Sequence, residues 1–266
     1  MKAKGKAEKK VQTFPIGIIY KQQCFYAAWF EAEKIRFFQT NDITVLQQHL
    51  TDMLKKLKIE YKNCCLITSI PSHLCWHTQK SIPYQFNNYE IYLHVMNLLK
   101  QELPQDNEEI WFDYNINGQR LDLYAIKRNY ATDITDQFLP LAINVLDIFP
   151  HVLLRAFKYF STSNQTDTLF CYYTEQQLYF LLETAENLFS FSSSLATKSN
   201  FSQITQQISP KLTPSLSHCI IYQNVNLPTL NFDFLPPQCR IEYLQSEIGC
   251  EKFLALGCAL WGIDRK

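Results

Sequence analysis

Glycine is scarce in this chain: six in 266 residues. A loop that wraps a phosphate needs glycine where backbone N–H groups must approach the anion closely. Net charge is missing too, with 25 Lys and Arg against 25 Asp and Glu. That balance argues against the uniformly basic surface that nucleic-acid binders show. No apolar run reaches the roughly 18 residues of a membrane span; the longest candidate, Phe253 to Trp261, is far too short. The nine cysteines form no CxxC pair and are odd in number. Cys64, Cys65, Cys171 and Cys219 sit inside apolar runs, as buried free thiols of a reducing compartment do. That predicts a cytoplasmic protein. No P-loop, G-x-S-x-G or H-E-x-x-H string occurs. No signal peptide is read at the polar start, MKAKGKAEKK. Its Lys2, Lys4, Lys6, Lys9 and Lys10 read as a solvated, disordered tail. The sharper reading is contact with an anionic membrane face, worth about 1 kcal/mol for each lysine near it.

What is present is apolar and aromatic: 47% hydrophobic and 14% aromatic, enough for a large core. The length suits one large domain or two lobes. PIGIIY, CFYAAWF and KIRFFQT read as three strands with short polar turns. DITVLQQHLTDMLKKLK follows with a helical stripe of Val45, Leu46, Leu50, Met53, Leu54 and Leu57, capped by Asn41 or Asp42. CCLITSI is a buried strand. The same order then recurs in TLFCYY, QQLYFLLE, NLFSFSSS, a helix over FSQITQQISPKL that Pro210 must end, and HCIIYQN. Tyr20, Gln23 and Tyr26 reappear 153 residues on (173 − 20 = 153) as Tyr173, Gln176 and Tyr179. A β-β-β-α-β unit has been duplicated.

Between the copies lies an insert, residues 72–148. HLCWHTQKSIP reads as extended. NYEIYLHVMNLLKQELP reads as a helix with Tyr89, Tyr92, Leu93, Met96 and Leu99 on one face and a capping box from Asn87 and Glu90. EEIWFDY and LDLYAIKR are strands around Asn115-Ile116-Asn117-Gly118. DITDQFLPLAINVL reads as a helix kinked near Pro140, and PHVLLRAFKYF as a helix leading into the second copy.

This order resembles the actin-like ATPase superfamily, in particular the FtsA and PilM type with a small subdomain inserted in the first lobe. FDYNINGQRLDLYAIKR followed by LAINVLDIFPHVLLRAF is similar to PilM-like proteins. FLALGCALWG, through Ala255, Gly257 and Ala259, resembles their closing helix. The nearest likeness is the ComA-like competence and DNA-uptake branch. The resemblance implies an α/β, actin-like (ribonuclease H-like) duplicated two-lobe fold. Its parts would be a tail at 1–12, a first lobe at 13–71 and 149–164, the insert at 72–148 and a second lobe at 165–266.

Members of that superfamily hold nucleotide phosphates with two glycine- and aspartate-bearing turns. Here the first pattern, Gly-Ile-Asp-x-Gly, is met by Gly17, Ile18, Ile19, Tyr20 and Lys21. Ile19 stands at the acid and Lys21 at the glycine. In the second turn Tyr172 stands at the acid and Thr174 at the glycine, and HCIIYQNVNLPTLNF has no Gly-Gly turn for adenosine. An apolar side chain holds no magnesium. The expectation is therefore no cofactor, no ATP and no catalysis. The alternative is an actin-like ATPase or kinase with an atypical site, drawing acids such as Glu175 or Asp233.

The resemblance also implies a partner: the cytoplasmic tail of a PilN-like single-span protein, docked as an extended peptide between the insert and the first lobe. Trp111, Asp113, Tyr114, Arg128 and Tyr130 are expected to line or support that groove. Localisation would be peripheral on the inner membrane. Other chemistry ranks below this. His73, Cys75 and His77 alternate as a strand-face metal set would, though ordinary strand residues is the favoured reading and no metal is expected. Asp113 and Asp122 fall on adjacent strands; Asp133 and Asp136 open a helix and suit its dipole. Trp111, Phe112 and Tyr114 read equally as a recognition surface or as buried strand. Cys250 and Cys258 read as core contacts on one helix.

Overall fold

The computed structural model describes residues 13–83, 86–103, 109–161, 167–184, 188–193, 198–224, 227, 230–244 and 248–263. The lysine tail lies outside them. β1 (Phe14–Lys21), β2 (Cys24–Glu31), β3 (Lys34–Thr40), α1 (Ile43–Leu57) and β4 (Cys64–Ile70) form the first unit. The insert holds β5 (Cys75–Ser81), α2 (Asn88–Glu102), β6 (Ile110–Asn117), β7 (Arg120–Lys127) and α3 (Arg128–Asp136). β8 (Val145–Ile148) and α4 (Phe149–Phe160) follow. The second unit is β9 (Thr168–Tyr173), β10 (Leu178–Glu183), β11 (Leu188–Ser193), α5 (Lys198–Ile208), β12 (His218–Gln223), β13 (Arg240–Tyr243) and α6 (Cys250–Ala259).

The two large sheets have the same plan. One runs β3-β2-β1-β4-β8 and the other β11-β10-β9-β12-β13, each with its first three strands antiparallel and the rest parallel. The kinship extends to single pairs. Ile19 faces Tyr26, and 153 residues on Tyr172 faces Tyr179 (172 − 19 and 179 − 26). This is the duplicated two-lobe, actin-like α/β fold.

Alternation along the strands builds layers. Ile16 and Ile18 of β1 point to a core with Leu46, Leu50 and Leu54 of α1. Ile19 points the other way, into a second core where α4 and α6 lie between the sheets. The outer face of the second sheet packs on Ile204 and Ile208 of α5. β9 and most of β10 are buried on both faces, as their unbroken apolar sequences require.

Both sequence-read helix caps are present. Asp42 Oδ1 accepts from Thr44 N at 2.8 Å, and Asn87 with Glu90 makes a reciprocal box. Four details differ from the sequence reading. On α1, Val45 is exposed. On α2 the buried face is Ile91, Val95, Leu98 and Leu99, while Tyr89, Tyr92 and Leu93 face water. The hairpin of the insert turns at Gly118, at φ +62, after Asn117 has closed β6. The helix read over 133–146 is instead α3, a turn with a cis Leu139–Pro140 bond, and β8. Pro140 has no N–H to continue a helix. Asn144 instead bonds to the sheet: its N–H donates to Leu66 O at 2.9 Å, and Leu66 N donates to its Oδ1 at 2.7 Å. β8 thus falls within the span expected for the insert, yet it pairs with β4.

Candidate functional site

The first candidate is the pair of turns where the resemblance places phosphates. The β1–β2 turn is only two residues long, because Lys21 pairs with Cys24. Gln22 and Gln23 both take positive φ, +51 and +59, the shape of a tight hairpin turn. Ile19 is buried in the inter-sheet core. The Lys21 ammonium lies 3.4 Å from the Glu251 carboxylate on the first turn of α6. Burial raises the Glu251 pKa, but hydrogen bonds from the Cys250 thiol and its own backbone, together with Lys21, outweigh it and hold it below the usual value. The site where an anion would sit thus carries an anion of its own.

The second turn is closed by its own polar atoms. Thr174 N donates to Gln177 O at 2.9 Å, and Gln177 N to Thr174 Oγ1 at 3.2 Å. Tyr172 is fully buried, stacked on Tyr222 at 5.4 Å and near Phe253 at 6.1 Å. Burial pushes its hydroxyl well above the ordinary range. Gly17, the one glycine kept from the phosphate pattern, has a packing role. A Cβ there would lie 2.0 Å from Ala255 O of α6. Gly257 does the same against Val152 O of α4, at 2.1 Å. Glu175 and Asp233 are both exposed, and Asp233 N is tied to Asn231.

The second candidate is an open groove of about 930 Å³ between the insert and the first lobe. One wall is β6, residues 111–115, and the other is the strip 141–148. Five successive strand residues line a cavity only when the strand presents its edge, since side chains alternate between faces. β6 is an edge of the β5-β7-β6 sheet, so one row of its backbone groups lacks a strand partner among the described residues. Trp111 is 45% exposed there. Asp113 and Asp136 are the exposed charges in the lining; Asp147 is paired with Arg155. Of the expected groove residues, Trp111, Asp113 and Tyr114 line it. Arg128 and Tyr130 are exposed on α3 and do not; the Lys127 ammonium lies 5.9 Å from the Tyr130 ring.

A third, smaller cavity shares Tyr124, His151 and Cys75 with the groove and was not anticipated from sequence. His77 and Asp122 line it from adjacent strands that pair across the sheet. That pairing needs the strand order, which spacing alone does not reveal. His73 lies in the turn before β5. Among the described residues no group of three His, Cys, Asp or Glu side chains is placed to hold a metal. Cys250 and Cys258 are both buried core contacts.

No protein-family model and no curated protein sequence matches the chain. Solved structures do match in shape. The PilM–PilN type IV pilus biogenesis complex is similar at TM-score 0.65 and 13% identity, over 96% of this chain and 100% of that one. The cytoplasmic domain of EpsL, an inner membrane component of the type II secretion system of Vibrio cholerae, is similar at TM-score 0.52 and 14% identity, over 92% and 94%. No helix among the described residues is long and apolar enough to cross a membrane.

Proposed function

We propose that this chain is a non-enzymatic, cytoplasmic accessory of a type IV pilus machine, of the ComA-like kind that serves DNA uptake, held at the inner membrane by the tail of a PilN-like single-span protein. The observation that carries the reading is the groove: an open channel bounded by a strand edge and an extended strip, beside a seam where a nucleotide would otherwise bind. An extended peptide would add along β6, taking main-chain hydrogen bonds from its edge and placing apolar side chains near Trp111 and Leu141. Asp113 and Asp136 favour a tail that carries cationic residues between its apolar ones. The likeness in shape to the PilM–PilN complex supports the same assignment. The likeness to the EpsL domain favours a second host, a type II secretion machine, with the same groove in use.

The test is a calorimetric titration of the full chain with a synthetic peptide of the N-terminal tail of the single-span protein encoded beside it. Saturable binding, weakened about ten-fold or more by Trp111→Ala, is expected. No binding at concentrations where a PilM–PilN control saturates removes the reading. A parallel titration with ATP and magnesium is expected to be flat. Tight magnesium-dependent binding would instead establish the ATPase or kinase alternative.

A further inference from the structure

The third cavity has features that neither the seam nor the groove explains. Its volume is about 160 Å³, close to the roughly 150 Å³ that accommodates benzene in an engineered core. That is room for one ring. Three parts of the molecule wall it: β5 and β7 of the insert, the start of α4, and β10–β11 of the second lobe. Much of the wall is aromatic. His77 stacks on Tyr124 at 4.5 Å and 8°, His151 meets Tyr124 edge-on at 5.7 Å, and Phe149 meets Tyr179 edge-on at 5.1 Å. Such stacked and edge-on contacts hold the rings of the wall against one another.

The charges in the slot cancel. Arg120 Nε donates to Asp122 Oδ2 at 3.0 Å. Burial pushes both imidazoles, His77 and His151, below their ordinary pKa, so they are neutral at pH 7. Asp147, nearest to His151, is itself paired with Arg155. An ion entering would lose its hydration without a counter-charge, which disfavours it. What remains is hydrogen bonding. Asp122, with its side chain 8% exposed, accepts from Gln79 Nε2 at 2.8 Å and from Arg120. His77 Nε2 also lies 3.7 Å from Asp122 Oδ1; of a carboxylate's roughly four acceptor positions these neighbours leave at least one for a ligand. Donors on Gln79, Arg120 and Asn115 stand in the same lining.

From this we infer that the cavity is a binding site for a neutral, planar nitrogen heterocycle of a single ring. Its faces lie against the aromatic walls and its donor–acceptor edge meets Asp122 and its neighbours. The cavity shares Cys75, Asn115, Tyr124, Ile148 and His151 with the groove, but its test uses the full chain alone and needs no peptide.

The experiment is titration calorimetry and thermal shift on the full chain with cytosine and uracil, against adenine as a two-ring probe and malonate as an anion. Saturable binding of at least one single-ring probe, with neither control binding, is expected. It should move the imidazole proton resonances of His77 and His151 by ring current. Asp122→Asn should weaken binding about ten-fold. Ser190→Trp, a substitution at an exposed rim residue whose hydroxyl bonds to Tyr179, should block the slot. Response to every probe alike, response to none at millimolar concentration, or binding that survives both substitutions would overturn the site.

Discussion

The seam between the lobes and the groove beside the insert are both places where two parts of the molecule meet, and they are built in opposite ways. In the seam, helix α6 touches the backbone of β1 at Gly17 and that of α4 at Gly257, and rings from both lobes fill the remainder. In the groove, a strand edge and an extended strip stand apart with a half-exposed tryptophan between them. The seam is where the actin-like plan puts its ligand; the groove exists because of the insert. The difference shows how one fold can carry a tightly packed junction and an open channel side by side while its strand order stays intact.

The largest expected effect comes from forcing the seam. Gly17→Ala places a methyl group 2.0 Å from a carbonyl oxygen of α6. It should cost about 3 kcal/mol or more, read as a lower denaturation midpoint. If stability is unchanged, the seam is looser than described. On the groove side, Trp111→Ala should weaken peptide binding by about 1–3 kcal/mol while leaving stability within about 0.5 kcal/mol, because the ring is half exposed. An equal loss of stability would mean that Trp111 is a core residue after all. Gly118→Ala meets nothing within 4 Å but occupies φ +62, so about 1 kcal/mol is expected from the backbone alone. That variant calibrates the seam result, separating conformational strain from contact.

Acid provides a fourth probe. Burial lowers the pKa of His151, and also that of His77, where Asp122 only partly offsets it. The folded state therefore binds their protons less readily than the unfolded one. Stability is fully present above the unfolded value of 6.5 and falls as pH drops below it. The double variant His77→Gln, His151→Gln should flatten that fall in urea titrations at stepped pH. The smallest effect is expected at the mouth of the seam. Lys21→Met breaks a partly exposed pair with Glu251 and should change stability by no more than about 1 kcal/mol.

Much of this was legible beforehand. The duplication could be read because each strand of the repeated unit is apolar enough to announce itself, and the recurring Tyr20–Tyr26 and Tyr173–Tyr179 pattern reflects an identical register. β8 and β13 escaped because four residues of mixed polarity give no period; only their parallel neighbours make them strands. Helix α2 carries apolar residues on both sides. The aromatic stripe looked like the core, yet Tyr89 and Tyr92 keep a polar tip in water while the aliphatic Ile91, Val95 and Leu98 take the sheet. Trp111, Asp113 and Tyr114 could be placed at the groove because they lie on one strand. Arg128 and Tyr130 were drawn in by nearness in sequence, but the chain turns into α3 at that point and carries them outward. The one-ring cavity stayed hidden because its walls come from residues as far apart as Ser72 and Ser190.

The two glycine contacts have a mechanical consequence. A helix seated at sub-side-chain distance against a strand on one side and a helix on the other cannot slide along either without pulling both backbone contacts apart. The insert's one described glycine, Gly118, meets nothing within 4 Å, so the small sheet is under no such constraint at its hairpin.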